Sequence, residues 1–71
     1  MSLYLAWFDD NAKKPTATKI AEGAAAYEQR FHHAPLVVCV SQAQASIDTP
    51  LQVQPLPTVQ VNNFWFGMEL Q

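Results

Sequence analysis

Charged residues are scarce in this chain: Lys, Arg, Asp and Glu together make up 14% of its 71 residues, against about 25% in typical soluble domains. The formal net charge is −2, which makes nucleic acid an unlikely partner because phosphate binding draws on positive charge. A protein surface with so few charged residues is poorly suited to complete exposure to solvent. The scarcity therefore indicates a face that another protein covers.

Cysteine is almost absent. The single Cys39 excludes an internal disulfide, and no Cys/His set has zinc-finger spacing. No apolar run approaches the roughly 20 residues of a membrane span, and no basic segment precedes the apolar N-terminal run as it would in a secretory signal. These absences predict a cytoplasmic protein with no membrane association and no cofactor, and a lone thiol suits a reducing compartment.

The length predicts one small domain over residues 1–71. A domain of this size buries only about 60% of the surface of its unfolded chain, and its core rarely supplies more than about 3–5 kcal/mol. Small folds compensate with disulfides, metals or oligomerisation. Since the cysteine pattern offers neither of the first two, oligomerisation is the expected device.

The first half of the chain predicts a strand, a helix and a second strand. Residues 2–8 and 36–41 are rich in apolar, β-branched and aromatic residues. Between them, one helical face recurs at spacings of four, three and four from about Thr16 to Phe31, and it comprises Ile20, Ala24, Tyr27 and Phe31. Thr16 or Thr18 is the expected N-cap, His32 and His33 are expected in the last turn, and Pro35 ends the helix.

The second half predicts short strands. A helical turn near 41–45 precedes alternating apolar residues over 51–55 and 59–61, and a final strand covers 64–66. The fold class is therefore α/β (α+β): a small mixed sheet of about four strands with one helix packed on one face, β-α-β followed by β-strands. We expect the first two strands to pair in parallel at the centre, with one or two hairpins added to them.

Two runs, 3–8 and 36–40, are apolar on both strand faces. One helix covers one face, so we expect a second copy or another protein to bury the other face. In the last strand Phe64 and Phe66 share one face and Trp65 takes the other. The predicted interface residues are Tyr4, Trp7, Phe8, Phe64, Trp65 and Phe66; the alternative is that the last three are core or rim.

Four charged residues in the loop after the first strand are candidates for weaker sites. Asp9 and Asp10 end the strand, where carboxylates can hold a divalent metal, although a solvated loop is the plainer interpretation. Lys13 and Lys14 lie near the helix start, where they could bind an anion. Because no glycine-rich loop accompanies them, ordinary surface lysines are favoured.

No catalytic residue is predicted. His32 and His33 are adjacent, unlike metal-binding histidines four apart on one helix face, and a role in the helix terminus is favoured over a pH switch. Cys39 lies between Val38 and Val40 in a strand, where a buried thiol is inert.

Two resemblances follow from these motifs. A helix ending in Arg30-Phe31, then Pro35, an apolar strand and Asn-Asn-Phe-Trp-Phe-Gly over 62–67 resembles short uncharacterised bacterial proteins, including those of mobile elements. That likeness covers about half the chain and implies a compact standalone domain without a transferable activity. The strand ending in Asp9-Asp10, then basic residues and an Ile-Ala helix, also resembles the opening of small CRISPR-associated nucleases, which are ferredoxin-like dimers.

The leading prediction is a non-enzymatic protein-interaction module that forms a homodimer or a subunit of a larger complex. The second resemblance implies an alternative, a divalent-metal-dependent nuclease-like enzyme acting through Asp9 or Asp10. The chain lacks the second long helix of those nucleases, and its second half does not match them.

Overall fold

The computed structural model describes residues 4–70. The first strand was predicted to begin at residue 2, so that part of the prediction lies outside the described residues. A short 3-10 turn at Gln42–Gln44 follows the second strand, as predicted for 41–45. The elements are β1 (Leu5–Phe8), α1 (Thr16–Phe31), β2 (Val37–Val40), β3 (Gln52–Pro55) and β4 (Asn63–Gly67).

The helix bounds match the prediction, but the helix ends differ from it. α1 begins after Pro15, whose carbonyl accepts the N–H groups of Thr18 and Lys19 at 3.1 Å each, and no side chain caps it. The expected threonine N-cap is therefore wrong, since the extended backbone of Pro15 already turns the chain into the helix. At the other end, His32 adopts a left-handed conformation (φ 64°) and closes the helix with a 2.8 Å bond to the Glu28 carbonyl.

The sheet order is β1-β4-β2-β3. β4 lies between β1 and β2 and is antiparallel to both, whereas β3 is parallel to β2. The expectation of a central, directly paired β1 and β2 is wrong, because the last strand inserts between them. The expected hairpins are also absent from residues 4–70, since β3 and β4 lie on opposite sides of β2.

One face of the sheet packs on α1. Trp7, half-buried, joins this side from the edge strand β1. The fully buried residues of this core, which we call the helix-side core, are Ile20, Tyr27, Val38, Val40, Phe64 and Phe66. A small α+β domain with a four-stranded mixed sheet and one helix is therefore the architecture of the described residues, as the sequence predicts.

The connection from β3 to β4 is irregular. Residues 59–61 were predicted to be a strand, but they lie in turns, and Val59 donates its N–H to the Leu56 carbonyl at 3.2 Å. Asn62 follows with a left-handed backbone (φ 69°), a conformation that asparagine tolerates in turns. In residues 4–70 no helix combines the length and the apolar character needed to cross a membrane.

Candidate interaction surface

The open face of the sheet, away from α1, carries a row of side chains aligned across all four strands. Ala6 lies opposite Trp65, Trp65 opposite Cys39, and Cys39 opposite Gln54. Because side chains alternate between the two faces of a strand, Tyr4 and Phe8 point to the same side as Ala6. The structure therefore places Tyr4, Ala6 and Phe8 on the open face, and Leu5 and Trp7 on the helix side.

The chain itself covers the β2 half of the open face. Val59 is only 4% exposed and packs with Val37 and Cys39, and Leu56 and Trp65 border this second cluster. The reason is topological: β3 and β4 flank β2, so the connection between them crosses β2 on this side. The expectation that β2 leaves one face for a partner is therefore wrong, since β2 is buried on both faces within one chain.

On the β1 half of the open face, Ala6 and Phe8 stay exposed, whereas Tyr4 is half-buried and packs, like Trp65, against the second cluster. Phe8 is 61% exposed and lies opposite Asn63, while Ala6 is exposed and Trp65 half-buried. Thr58, Gln60, Asn63 and Trp65 line a shallow concavity of about 200 Å³ beside these residues. We define the β1 patch as Tyr4, Ala6, Phe8 and Trp65; none of its members carries a formal charge.

Tyr4 is held firmly at the end of this patch. Its ring lies over Gly67 so closely that a Cβ at Gly67 would be 2.6 Å from Tyr4 Cε2. Its hydroxyl donates a hydrogen bond to the backbone carbonyl of Glu69. The patch therefore presents a fixed aromatic ring at one end and an exposed phenylalanine at the other.

The predicted interface aromatics divide between the two faces. Tyr4, Phe8 and Trp65 belong to the β1 patch. Phe64 and Phe66 are fully buried in the helix-side core, and Trp7 packs against the same core. These three side chains are therefore corrected from interface to core, because the helix occupies the face on which they lie.

The loop after β1 holds a compact ion-pair cluster. Lys14 Nζ lies 3.0 Å from Asp9 Oδ2 and 2.6 Å from Glu22 Oε1. The backbone N–H of Asn11 donates to Asp9 Oδ1 at 3.0 Å. That bond, together with the bond from Lys14, lowers the pKa of Asp9, and the bonds to Glu22 and Asp9 raise the pKa of Lys14.

The contacts of this cluster bear on the metal site and on the anion site predicted for the loop. Asp9 is engaged by Lys14, Asp10 is exposed, and within the described residues no three His, Cys, Asp or Glu side chains are grouped to hold a metal. An anion that approaches Lys14 would compete with the two carboxylates that already contact it. Lys13 is exposed and lies outside the cluster. The geometry thus favours a role for Asp9, Asp10, Lys13 and Lys14 as ordinary loop and surface residues over a metal site or an anion site.

A buried polar clasp was missed by sequence reasoning. Lys19 is only 4% exposed, and its ammonium donates to Asn62 Oδ1 at 2.9 Å. Gln44 meets Asn62 twice, with Nε2 donating to Oδ1 at 3.0 Å and Oε1 accepting from the backbone N–H at 2.7 Å. We call Lys19, Gln44 and Asn62 the Asn62 clasp; it ties the β3–β4 connection to the helix. The lysine alone gives no sequence signal of this role.

Three other features of the structure are possible sites: a groove, the cysteine and the two histidines. An apolar groove of about 500 Å³ runs between α1 and residues 48–51; it is lined mainly by alanines, with Glu28 and Asp48 as its acidic groups. Cys39 is fully buried, and burial raises the pKa of its thiol, which keeps it protonated and unreactive. His33 packs edge-on against Tyr27 at 5.5 Å, and His32 closes the helix, so neither histidine is brought to a cluster of acidic or nucleophilic groups.

No protein-family model, no curated protein and no solved structure matches this chain.

Proposed function

We propose that this chain is a non-enzymatic protein-interaction module that forms a homodimer through the β1 patch. The observation that carries this proposal is the position of Phe8, which is 61% exposed at the uncovered end of an uncharged sheet face. Burying a phenylalanine side chain contributes about 1.5–3 kcal/mol, and aromatic residues are enriched among the residues that dominate binding energy.

The charge distribution supports the same proposal. Asp9, which directly follows the patch residue Phe8, pairs with Lys14, and Lys14 also pairs with Glu22. A patch without formal charge carries no large desolvation cost when it is covered. The buried, unreactive Cys39 is compatible with action in the cytoplasm, where free thiols persist.

A second copy is the proposed occupant because small domains commonly gain stability by oligomerisation and most oligomers are symmetric dimers. A different protein covering the same patch, in a larger complex, is the outcome to be distinguished from it. The nuclease-like alternative, which acts through Asp9 or Asp10, is less favoured. Asp9 would have to leave Lys14 and Asn11, and among the described residues no group of three His, Cys, Asp or Glu side chains places the exposed Asp10 at a metal site.

Light scattering behind size exclusion tests the proposal, over about a hundredfold range of concentration. We expect roughly twice the chain mass of 7.9 kDa for the wild type, and the monomer mass for Phe8→Glu. Leu36→Glu is the matched control, since Leu36 is 57% exposed and lies outside the patch, and it should remain dimeric. A wild-type monomer throughout, or a dimeric Phe8→Glu, contradicts the proposal.

A further inference from the structure

The two edges of the sheet differ in their capacity to accept another strand. β3 forms one edge and β1 the other. Gln52 donates its N–H to the carbonyl of Leu36, just before β2, and Leu56 donates to Val40 of β2. The backbone groups of Pro55, which has the opposite parity, therefore point outward. A proline on the outer side offers no N–H, so the β3 edge is poorly suited to pairing with another strand.

β1 has no such protection. Asp9 donates its N–H to the Asn62 carbonyl of the neighbouring chain segment at 3.1 Å. In an antiparallel pair every second residue directs its backbone groups at the partner, so Leu5 and Trp7 face β4. The N–H and C=O groups of Ala6 and Phe8 therefore point to the free edge, next to the β1 patch.

We propose that two copies of the chain pair antiparallel through their β1 strands, with Ala6 on the two-fold axis. This inference rests on the proposed homodimer and specifies its geometry. The result is one continuous eight-stranded sheet with both helices on the same face. A second copy is the fitting partner because it supplies an identical β1 edge, and no residue from Leu5 to Phe8 carries a charged side chain.

The register follows from side chains and charges. With Ala6 opposite Ala6 of the second copy, Phe8 lies opposite Tyr4 on the open face, and aromatic cross-strand pairs stabilise sheets. The two Asp10 residues are then about 27 Å apart along the strands, so their charges do not oppose pairing. A register centred on Phe8 would bring these acidic residues to about half that separation.

A stable dimer needs more contact than the paired backbones alone supply. Standard interfaces bury about 800 Å² on each partner, which is roughly a sixth of the 4550 Å² surface of the chain. A four-residue strand pair falls short of this area. Side chains next to the edge extend the contact, with Tyr4 and Phe8 on the open face and the half-buried Leu5 on the helix side.

Backbone hydrogen exchange on the wild type tests the pairing without a mutation. At concentrations where light scattering gives the dimer, we expect the amides of Ala6 and Phe8 to exchange at least tenfold more slowly than in the diluted monomer. The Trp7 amide, which faces β4, is the internal control and should be protected in both states. Unprotected Ala6 and Phe8 amides in a proven dimer overturn strand pairing but leave the patch-mediated dimer standing, whereas a monomeric wild type overturns both.

Two variants make the test independent of exchange rates. Ala6→Pro removes the N–H at the axis and should give a monomer, while Ala6→Thr keeps the N–H and should remain dimeric; far-UV circular dichroism checks that both fold. Ala6→Cys should form a disulfide between copies under mild oxidation, because hydrogen-bonded antiparallel partners have Cα atoms about 5.5 Å apart. Leu36→Cys should not, and a dimeric Ala6→Pro or an uncrosslinked Ala6→Cys contradicts the register.

Discussion

Gly23 shows how one missing side chain sets the distance between the helix and the sheet. A Cβ at this position would lie 2.6 Å from Phe66 Cζ and 2.9 Å from Trp7 Cδ1. Phe66 is fully buried, so its ring has little room to yield. Glycine costs about 1 kcal/mol relative to alanine inside a helix, and here the close approach of two aromatic rings offsets that cost.

We therefore expect Gly23→Ala to destabilise the protein by a net 1–2 kcal/mol or so, because overpacking costs about 1–3 kcal/mol and exceeds the gain in helix propensity. Urea unfolding followed by circular dichroism measures the change. Ala25→Gly, at an exposed position of the same helix, isolates the propensity effect and should cost about 1 kcal/mol. A Gly23→Ala protein more stable than the wild type would show that the contact is unimportant.

At the scale of elements, the Asn62 clasp holds the irregular β3–β4 connection in place. This connection covers β2 through Leu56 and Val59, so its position decides how much of the open face the chain buries itself. Asn62 combines a left-handed backbone, which asparagine tolerates better than most residues, with a side-chain oxygen that accepts from both Lys19 and Gln44. One residue thus fixes the connection at both backbone and side chain.

Asn62→Ala should lower the free energy of unfolding by about 2 kcal/mol, because it leaves the buried ammonium of Lys19 and the amide of Gln44 without their acceptor. Thermal and urea denaturation measure the loss. Asn62→Asp keeps the Oδ1 acceptor and a residue type that tolerates the left-handed region, and it should retain most of the stability. Equal losses in the two variants would mean that the side-chain bonds do not matter.

The sequence predicted elements well where the pattern is local. The spacing of Ile20, Ala24, Tyr27 and Phe31 predicted the bounds of α1, because helical periodicity depends only on residues within the segment. Strand pairing is not local. β4 inserts between β1 and β2, and its residues lie some 60 positions from those of β1 that they pair with. No pattern within β1 or β2 predicts that β4 is their neighbour.

The candidate surface was predictable only in part, for related reasons. Strand alternation correctly separated Trp65 from Phe64 and Phe66, but the face taken by α1 depends on how the whole helix docks. The alternation of Val59 and Val61 indicated a strand, whereas Val59 covers β2 and Val61 is exposed, since β4 is already paired on both sides. The burial of Lys19 could not be predicted from its own segment, because its partner Asn62 lies 43 residues away.

At the scale of the whole molecule, one ion-pair cluster connects the two layers of the fold. The Asp9–Lys14–Glu22 cluster joins the end of β1 to the loop and to the first half of α1. Its charges therefore link the sheet layer to the helix layer at one end of the molecule. Acidification acts on this link, since protonating Asp9 weakens its bonds from Asn11 and Lys14.

The sign of the effect follows from the direction of the pKa shift. The fold lowers the pKa of Asp9 from its ordinary value of 3.8, first through the Asn11 N–H and then through Lys14. The resulting stabilisation is fully present above the unfolded-state pKa and is lost as the pH falls through the lower folded-state pKa. Conversely, the raised pKa of Lys14 gives stability that is lost only at strongly alkaline pH.

We expect Asp9→Asn to be less stable than the wild type at pH 7, with a difference that stays constant down to about pH 5 and shrinks below about pH 4. Urea midpoints measured from pH 7 to pH 2.5, at one protein concentration, test this. Asp10→Asn makes the same change of charge at the exposed neighbour, and its unfolding curve should stay close to that of the wild type near neutral pH. If Asp9→Asn and Asp10→Asn behave alike at every pH, general charge repulsion rather than the Asp9 link governs the acid response.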